Sequence, residues 1–120
     1  MNYVTFDFTT FHKFGSTFYD YLGLRKKYFV DELKWDIFHD DHVEMDQYDN
    51  PLAHYSVIIK DGKVVGGART APTSAKWGDT TYMLKEVASG KLPKIPNQIY
   101  TDNFETDRVW ECTRLVVSNE

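Results

Sequence analysis

The chain has 120 residues, 42% of them hydrophobic, and its 3 Trp, 8 Tyr and 8 Phe supply enough apolar area for one cored domain, which excludes disorder as its main state. Its 14 basic side chains against 18 acidic ones give a net charge of −4, which argues against a general nucleic-acid binder, because backbone recognition needs a basic surface. The single cysteine, Cys112, excludes an internal disulfide framework and a multi-cysteine zinc site; no apolar run reaches membrane-spanning length and no basic-then-apolar leader opens the chain, so a cytoplasmic protein with no membrane partner is expected.

In chain order, residues 11–33 carry a helical signal: Phe11, Phe14, Phe18, Leu22, Phe29 and Leu33 recur at spacings of three, four and seven, with Ser16 or Thr17 as a cap. Gly15 and Gly23 argue against one straight helix. Stepping three from Leu22, or back four from Phe29, lands on Arg25, so an arginine is expected on the buried face. Residues 36–51 lose all periodicity and read as a loop closed by Asn50-Pro51. Acids crowd this part of the chain: Asp31, Glu32, Asp36, Asp40, Asp41, Glu44, Asp46 and Asp49 stand against the single base Lys34. Such a stretch is solvated, or it receives a cation.

The period then changes to two. Residues 54–60 and 63–70 read as strands joined by Asp61-Gly62, a strong hairpin signal. The register that turn imposes sets Ile58 opposite Val65, Ser56 opposite Gly67 and His54 opposite Arg69. Gly66-Gly67 inside a strand marks a bulge or a close approach by another group. Residues 72–81 form a second loop, and residues 82–89 a short helix with Gly90 at its end and Pro93 and Pro96 beyond. Residues 109–117 are a strand, with Trp110, Cys112, Arg114 and Val116 on one face and Glu111, Thr113, Leu115 and Val117 on the other. The class is α/β (α+β), a single domain over residues 1–120. Because the last strand runs almost to Glu120, the sheet is expected to be incomplete at its C-terminal end.

The sequence His39-Asp40-Asp41-His42 has donors for a divalent ion, but two histidines among acids in a loop read more simply as a solvated turn, and no metal is assigned. Cys112 reads as a small core residue rather than a nucleophile. The glycines at 62, 66 and 67 do not form a phosphate-cradling loop. Charge placement is the better signal. Arg25, Arg69 and Arg114, with Glu44, Asp46, Asp49 and Glu111, stand where packing would prefer apolar groups. An unpaired buried charge costs on the order of several kcal/mol, so these groups form a structural ion-pair network or bind a ligand, and placement alone leaves both open.

Arg25-x-x-x-Phe29, then Trp35, Glu44-x-Asp46-x-x-Asp49, Val65-Gly66-Gly67-x-Arg69 with Pro72-Thr73, Met83-Leu84 and Trp110-Glu111-x-x-Arg114 form an ordered series over most of the chain. This series resembles the acyl-homoserine-lactone synthases, the autoinducer synthases of bacterial quorum sensing. The resemblance implies a GNAT-like mixed sheet flanked by helices and an acyltransferase that joins an acyl group from acyl carrier protein to S-adenosylmethionine, with no further cofactor. The products would be an N-acyl-homoserine lactone and methylthioadenosine. Two departures stand out: Val87 replaces the phenylalanine of many members, and members continue well past the Glu-x-x-Arg strand. The chain is therefore expected to be the N-terminal portion of a longer fold, inactive by itself. Another GNAT-like N-acyltransferase and a non-catalytic binding fragment are the alternatives.

S-adenosylmethionine carries an amine, a carboxylate and a sulfonium. The resemblance implies that Arg25, Phe29, Trp35, Asp46 and Asp49 bind it, with Trp35 over the sulfonium or adenine, Arg25 on the carboxylate and the two aspartates balancing the cations. It implies Glu111, Arg114 and Arg69 as the catalytic group, with Glu111 as general base toward the attacking amine.

Overall fold

A computed structural model of the chain describes residues 1–88 and 105–119. Four strands hydrogen-bond in the order β1 (Asn2–Phe6), β2 (His54–Lys60), β3 (Lys63–Pro72) and β4 (Trp110–Val117), each neighbouring pair antiparallel. The hairpin signal is met, since Asp61 and Gly62 both take positive φ, as a tight two-residue turn requires. The first strand was not anticipated. A strand, rather than helices, comes first, with Val4 and Phe6 turned inward while Tyr3 and Thr5 face out.

The helical stretch is broken into three windings, which is why its single stripe does not survive. A 3-10 turn, Phe11–Phe14, ends at Gly15 with φ +57; α1 spans Thr17–Arg25; the chain then widens into a π-helical segment, Lys26–Glu32. Phe18, Leu22 and Phe29 are buried as expected, while Phe11 and Leu33 are exposed. Ser16 does precede α1, but its hydroxyl donates to Asp20 at 2.8 Å instead of capping the backbone. One core lies between α1 and the sheet, built on Phe6, Phe18, Tyr21, Leu22, Tyr55, Val57 and Val116. Phe18 and Tyr55 meet with ring centroids 4.7 Å apart.

Two bulges revise the expected faces. The β2–β3 ladder shifts between Ile58 and Ile59, so Ile58 lies opposite Gly66, Val57 opposite Gly67, Tyr55 opposite Arg69 and His54 opposite Thr70. A one-residue slip moves a side chain to the other face. Arg69 therefore shares the buried face with Tyr55 rather than the outer face with His54. In β4 the ladder shifts again between Gly67 and Arg69, which pair with Val116 and Thr113, and Arg114 between them has φ +54. Strict alternation fails there: Glu111, Thr113, Arg114 and Val116 all turn inward, and Trp110, Cys112, Leu115 and Val117 face out. Cys112 is exposed and is not a core residue.

The short helix α2 spans Met83–Ala88; the expected helix end and breakers at Ser89, Gly90, Pro93 and Pro96 lie outside the described residues, as does Glu120. Among the described residues no helix is long and apolar enough to cross a membrane.

The glycine pair does both things expected of it. The β2–β3 bulge lies beside Gly66, and Gly67 lets α1 approach: a Cβ at Gly67 would sit 2.8 Å from the Tyr21 ring and 3.0 Å from the Ser56 carbonyl oxygen. Gly67→Ala should therefore cost about 1–3 kcal/mol through overpacking. Urea unfolding measures it, and an unchanged midpoint would mean that Tyr21 is not seated on the strand.

Candidate functional site

Helix α1 ends at Arg25, whose side chain points inward from the gap in the apolar stripe and is fully buried. Its Nε donates to Glu44 Oε1 at 2.8 Å, and its Nη1 and Nη2 donate to the two oxygens of Asp49 at 2.8 and 2.9 Å. From β3, Arg69 donates through Nη1 to Asp46 Oδ1 at 2.6 Å, lies 3.1 Å from Asp49 Oδ2, and sends Nε to Thr113 Oγ1 at 3.0 Å. From the β4 bulge, Arg114 donates through Nε to Glu44 Oε1 and through Nη2 to Asp46 Oδ2, both at 3.0 Å. Each carboxylate bridges two arginines and each arginine bridges two carboxylates. The charges thus close into a ring: Arg25, Glu44, Arg114, Asp46, Arg69, Asp49 and back to Arg25.

The acids come from the loop that sequence periodicity left blank. One bond to α1 and two within the loop shape it: Glu44 N–H donates to Leu22 O at 3.2 Å, Asp46 N–H to Asp49 Oδ2 at 2.9 Å and Tyr48 N–H to Asp46 Oδ1 at 2.9 Å. Tyr55 adds its hydroxyl to Asp49 Oδ1 at 2.7 Å. Burial alone would raise the Asp49 carboxyl, but the hydrogen bonds and charge of Arg25, with Arg69 behind, outweigh it and hold the group below the usual carboxylate range. Burial likewise opposes the charge on Arg25 and Arg69, and their acid partners outweigh it, so both stay firmly protonated. Glu44 Oε2 is buried without a hydrogen-bond partner among the described residues.

Glu44, Asp46 and Asp49 converge with oxygens within 4.8 Å of one another, close enough to hold a metal ion. Three guanidiniums already balance the three negative charges and contact every one of these carboxylate oxygens except Glu44 Oε2, so the donor set fits arginines rather than a metal. In the other candidate metal stretch, Asp40 Oδ1 accepts from the backbone N–H groups of His42 and Val43 at 2.7 and 2.8 Å, as in a solvated turn, and both histidines are exposed.

An aromatic pair flanks the ring. Leu33 N–H bonds to Tyr28 O, Lys34 takes φ +60, and Trp35 N–H returns to Phe29 O at 2.8 Å, so the π-helical segment ends in a left-handed reversal. That reversal lays Trp35 on Phe29, with centroids 4.7 Å apart and planes at 6°. The Arg114 guanidinium carbon lies 5.9 and 6.0 Å from the two ring centroids, and Trp35 keeps 44% of its surface exposed. Glu111 accepts from the N–H groups of Met83 and Leu84 at 2.8 and 3.1 Å, holding the start of α2. Burial raises its carboxyl above the ordinary range against the lowering effect of those two donors.

Arg25, Asp46, Asp49, Arg69 and Arg114 thus share one network, with Phe29 and Trp35 stacked beside Arg114. Among the described residues Glu111 makes no ion pair with an arginine, although the charges of Arg69 and Asp46 act on it. Arg25 is sealed from solvent with its donors turned to Glu44 and Asp49, so it orders those acids, while Asp46 and Arg114 keep small solvent-facing fractions of 11% and 7%. Sequence reasoning did not single out Tyr21, Tyr48, Tyr55 or Thr113. Tyr21 stands one turn before Arg25, a signal that was readable; Tyr55 and Thr113 reach Arg69's face only once the bulges are counted.

Residues 12–120 match the profile of the autoinducer synthase family. An acyl-homoserine-lactone synthase of Aliivibrio fischeri (strain ATCC 700601 / ES114) is 37% identical over 89 residues, 69% of this chain and 44% of that protein. The crystal structure of TofI in a ternary complex with an inhibitor and MTA superposes with a TM-score of 0.69 at 25% identity, covering 98% of this chain and 57% of that one. The CoA-dependent acyl-homoserine lactone synthase BjaI, with SAM and isopentyl-CoA, shares the fold at a TM-score of 0.69 and 23% identity, over 96% of this chain and 50% of its own. The chain therefore spans about half the length of these relatives. The fold class is the one expected, a GNAT-like α+β arrangement of sheet and helices, although the sheet of the described residues is antiparallel at each pairing rather than mixed.

Removing one member of the ring strands two others. Arg25→Ala should cost about 3–5 kcal/mol, the scale for breaking a buried pair. Because the folded-state pKa of Asp49 is depressed, its contribution is complete above the unfolded value of about 4 and is lost as pH falls below it. Urea unfolding between neutral and acid pH should show wild-type stability dropping below about pH 4 and a shallower drop in Arg25→Ala. Equal acid slopes would show that Arg25 does not hold Asp49 charged.

Proposed function

The chain belongs to the autoinducer synthase family, and we propose that it supplies the S-adenosylmethionine half of a cytoplasmic acyl-homoserine-lactone synthase. The observation that carries this reading is the closed arginine–carboxylate ring with a half-exposed aromatic stack beside it. S-adenosylmethionine needs an anionic group for its amine, a cationic one for its carboxylate and an aromatic face for its sulfonium. Asp46 and Arg114 offer the first two at the solvent edge of the ring, and the open face of Trp35 offers the third, a cation–π contact worth roughly 0.5–2 kcal/mol. Arg25, Arg69 and Asp49 fix those groups from behind, and Phe29 backs Trp35. The MTA bound by TofI is consistent with the adenosyl product expected from such a reaction.

In the proposed chemistry the substrate's α-amine, once neutral, attacks the thioester carbonyl of an acyl group carried by acyl carrier protein. The C–N bond forms as the C–S bond of the thioester breaks, and the carrier leaves as a thiol. A substrate carboxylate oxygen then displaces the sulfonium, closing the lactone and releasing methylthioadenosine; a leaving group this good asks mainly for positioning. The α-amine has a pKa near about 8, so a carboxylate base assists at neutral pH. Glu111 suits that role because burial raises its carboxyl, which makes it a stronger proton acceptor than an ordinary glutamate. No further cofactor takes part.

Isothermal titration of the protein with S-adenosylmethionine should show saturable one-to-one binding, and its absence would count against the reading. In the active enzyme Glu111→Gln should slow amide formation by about 10²–10⁴-fold. Glutamine can accept from only one of the Met83 and Leu84 N–H groups, so some loss from a disturbed α2 is also expected. The two effects separate by pH. Loss of a base fades as pH rises above about 8, where the amine is already neutral, whereas a displaced helix gives a deficit that does not fade. A pH-independent deficit would remove Glu111 from the chemistry.

A further inference from the structure

Arg114 reaches the ring only because β4 bulges. Its φ of +54 lies in the left-handed region that arginine rarely adopts, and the ladder around it skips a residue, with Gly67 opposite Val116 and Arg69 opposite Thr113. Under regular alternation Arg114 would face outward with Cys112, away from Glu44 and Asp46. Something must select the bulged conformation over the regular one.

A neighbour outside the ring meets the backbone at that point. The Tyr21 hydroxyl donates to the Arg114 carbonyl oxygen at 2.8 Å across the helix–sheet interface. Tyr21 is fully buried, its ring fills the space left by the missing side chain of Gly67, and the Arg25 guanidinium carbon stands 5.5 Å from its centroid. The ring is thus held on both sides, and the hydroxyl has little freedom to point elsewhere. Burial also pushes its pKa up, so it remains a donor throughout the neutral range.

We infer that Tyr21 is a positioning residue: its hydroxyl holds the β4 bulge at Arg114 and thereby turns that guanidinium into the site, where it meets Glu44, Asp46 and the ligand. The functional half of this inference rests on the S-adenosylmethionine reading; the structural half does not. Tyr21→Phe keeps the ring against Gly67 and beneath Arg25 while removing only the hydroxyl. Nuclear magnetic resonance of the protein then reads the Arg114 amide-to-Hα coupling, which reports φ, and titration with S-adenosylmethionine reads affinity in four proteins: wild type, Tyr21→Phe, Arg114→Ala and the double variant.

The expected result is a changed Arg114 coupling in Tyr21→Phe, together with an affinity loss of about two- to tenfold, the range for one net hydrogen bond, that disappears when the Arg114 side chain is already absent. An unchanged coupling overturns the inference. So does an affinity that Tyr21→Phe leaves intact, or a loss of equal size in both backgrounds, since then Tyr21 would not act through Arg114. If wild type binds no S-adenosylmethionine, the functional reading fails separately, and the coupling alone decides whether Tyr21 holds the bulge.

Discussion

Three guanidiniums and three carboxylates, each shared by two partners of opposite sign, form a closed ring inside a chain of 120 residues. Nearly every irregular feature of the fold serves that closure. The ring demands that α1, the acidic loop, β3 and β4 bring charges to one point, and a regular hairpin followed by a regular strand would not do so. Buried ion pairs add little net stability because desolvation offsets much of their attraction, yet breaking one is costly. Such a ring is therefore better understood as a constraint on geometry than as a source of folding energy.

That division explains what could be read from the amino-acid order. Arg25 was visible because a helix stripe has a gap only where packing yields to chemistry, and Asp61-Gly62 fixed a hairpin because few other residues accept two positive φ angles. The acid-rich loop was visible as a charge imbalance. The exact facing of Arg69 and Arg114 was not. Both depend on single-residue bulges whose presence is signalled by Gly66-Gly67 but whose positions are decided by what packs on them, chiefly Tyr21 against Gly67. The same bulge put Cys112 outside, and β1 was overlooked because its alternation is short and begins at the chain start. The ordered motifs named the members of the arginine–carboxylate ring, whereas periodicity misplaced the faces of two of them, since spacing along the chain survives a bulge while facing does not.

The site is also asymmetric in a way that bears on its chemistry. Arg25 and Asp49 are closed off, whereas Asp46 and Arg114 keep small exposed fractions beside Trp35, which the reversal at Lys34 leaves partly exposed. In the proposed S-adenosylmethionine site, the charges assigned to the ligand are thus backed by buried charges, which keeps their positions fixed. Preorganisation of this kind lowers the ordering cost of recognising a small zwitterion that also carries a sulfonium.

The central claim is that the solvent edge of this ring is where S-adenosylmethionine binds. The most direct measurement is the 15Nε–1H spectrum of the arginine side chains during titration with S-adenosylmethionine. The account predicts that the Arg114 signal moves with saturation, while Arg25, sealed behind Glu44 and Asp49, shifts little. Saturable binding that leaves Arg114 unmoved, or that perturbs only residues remote from the ring, would contradict it.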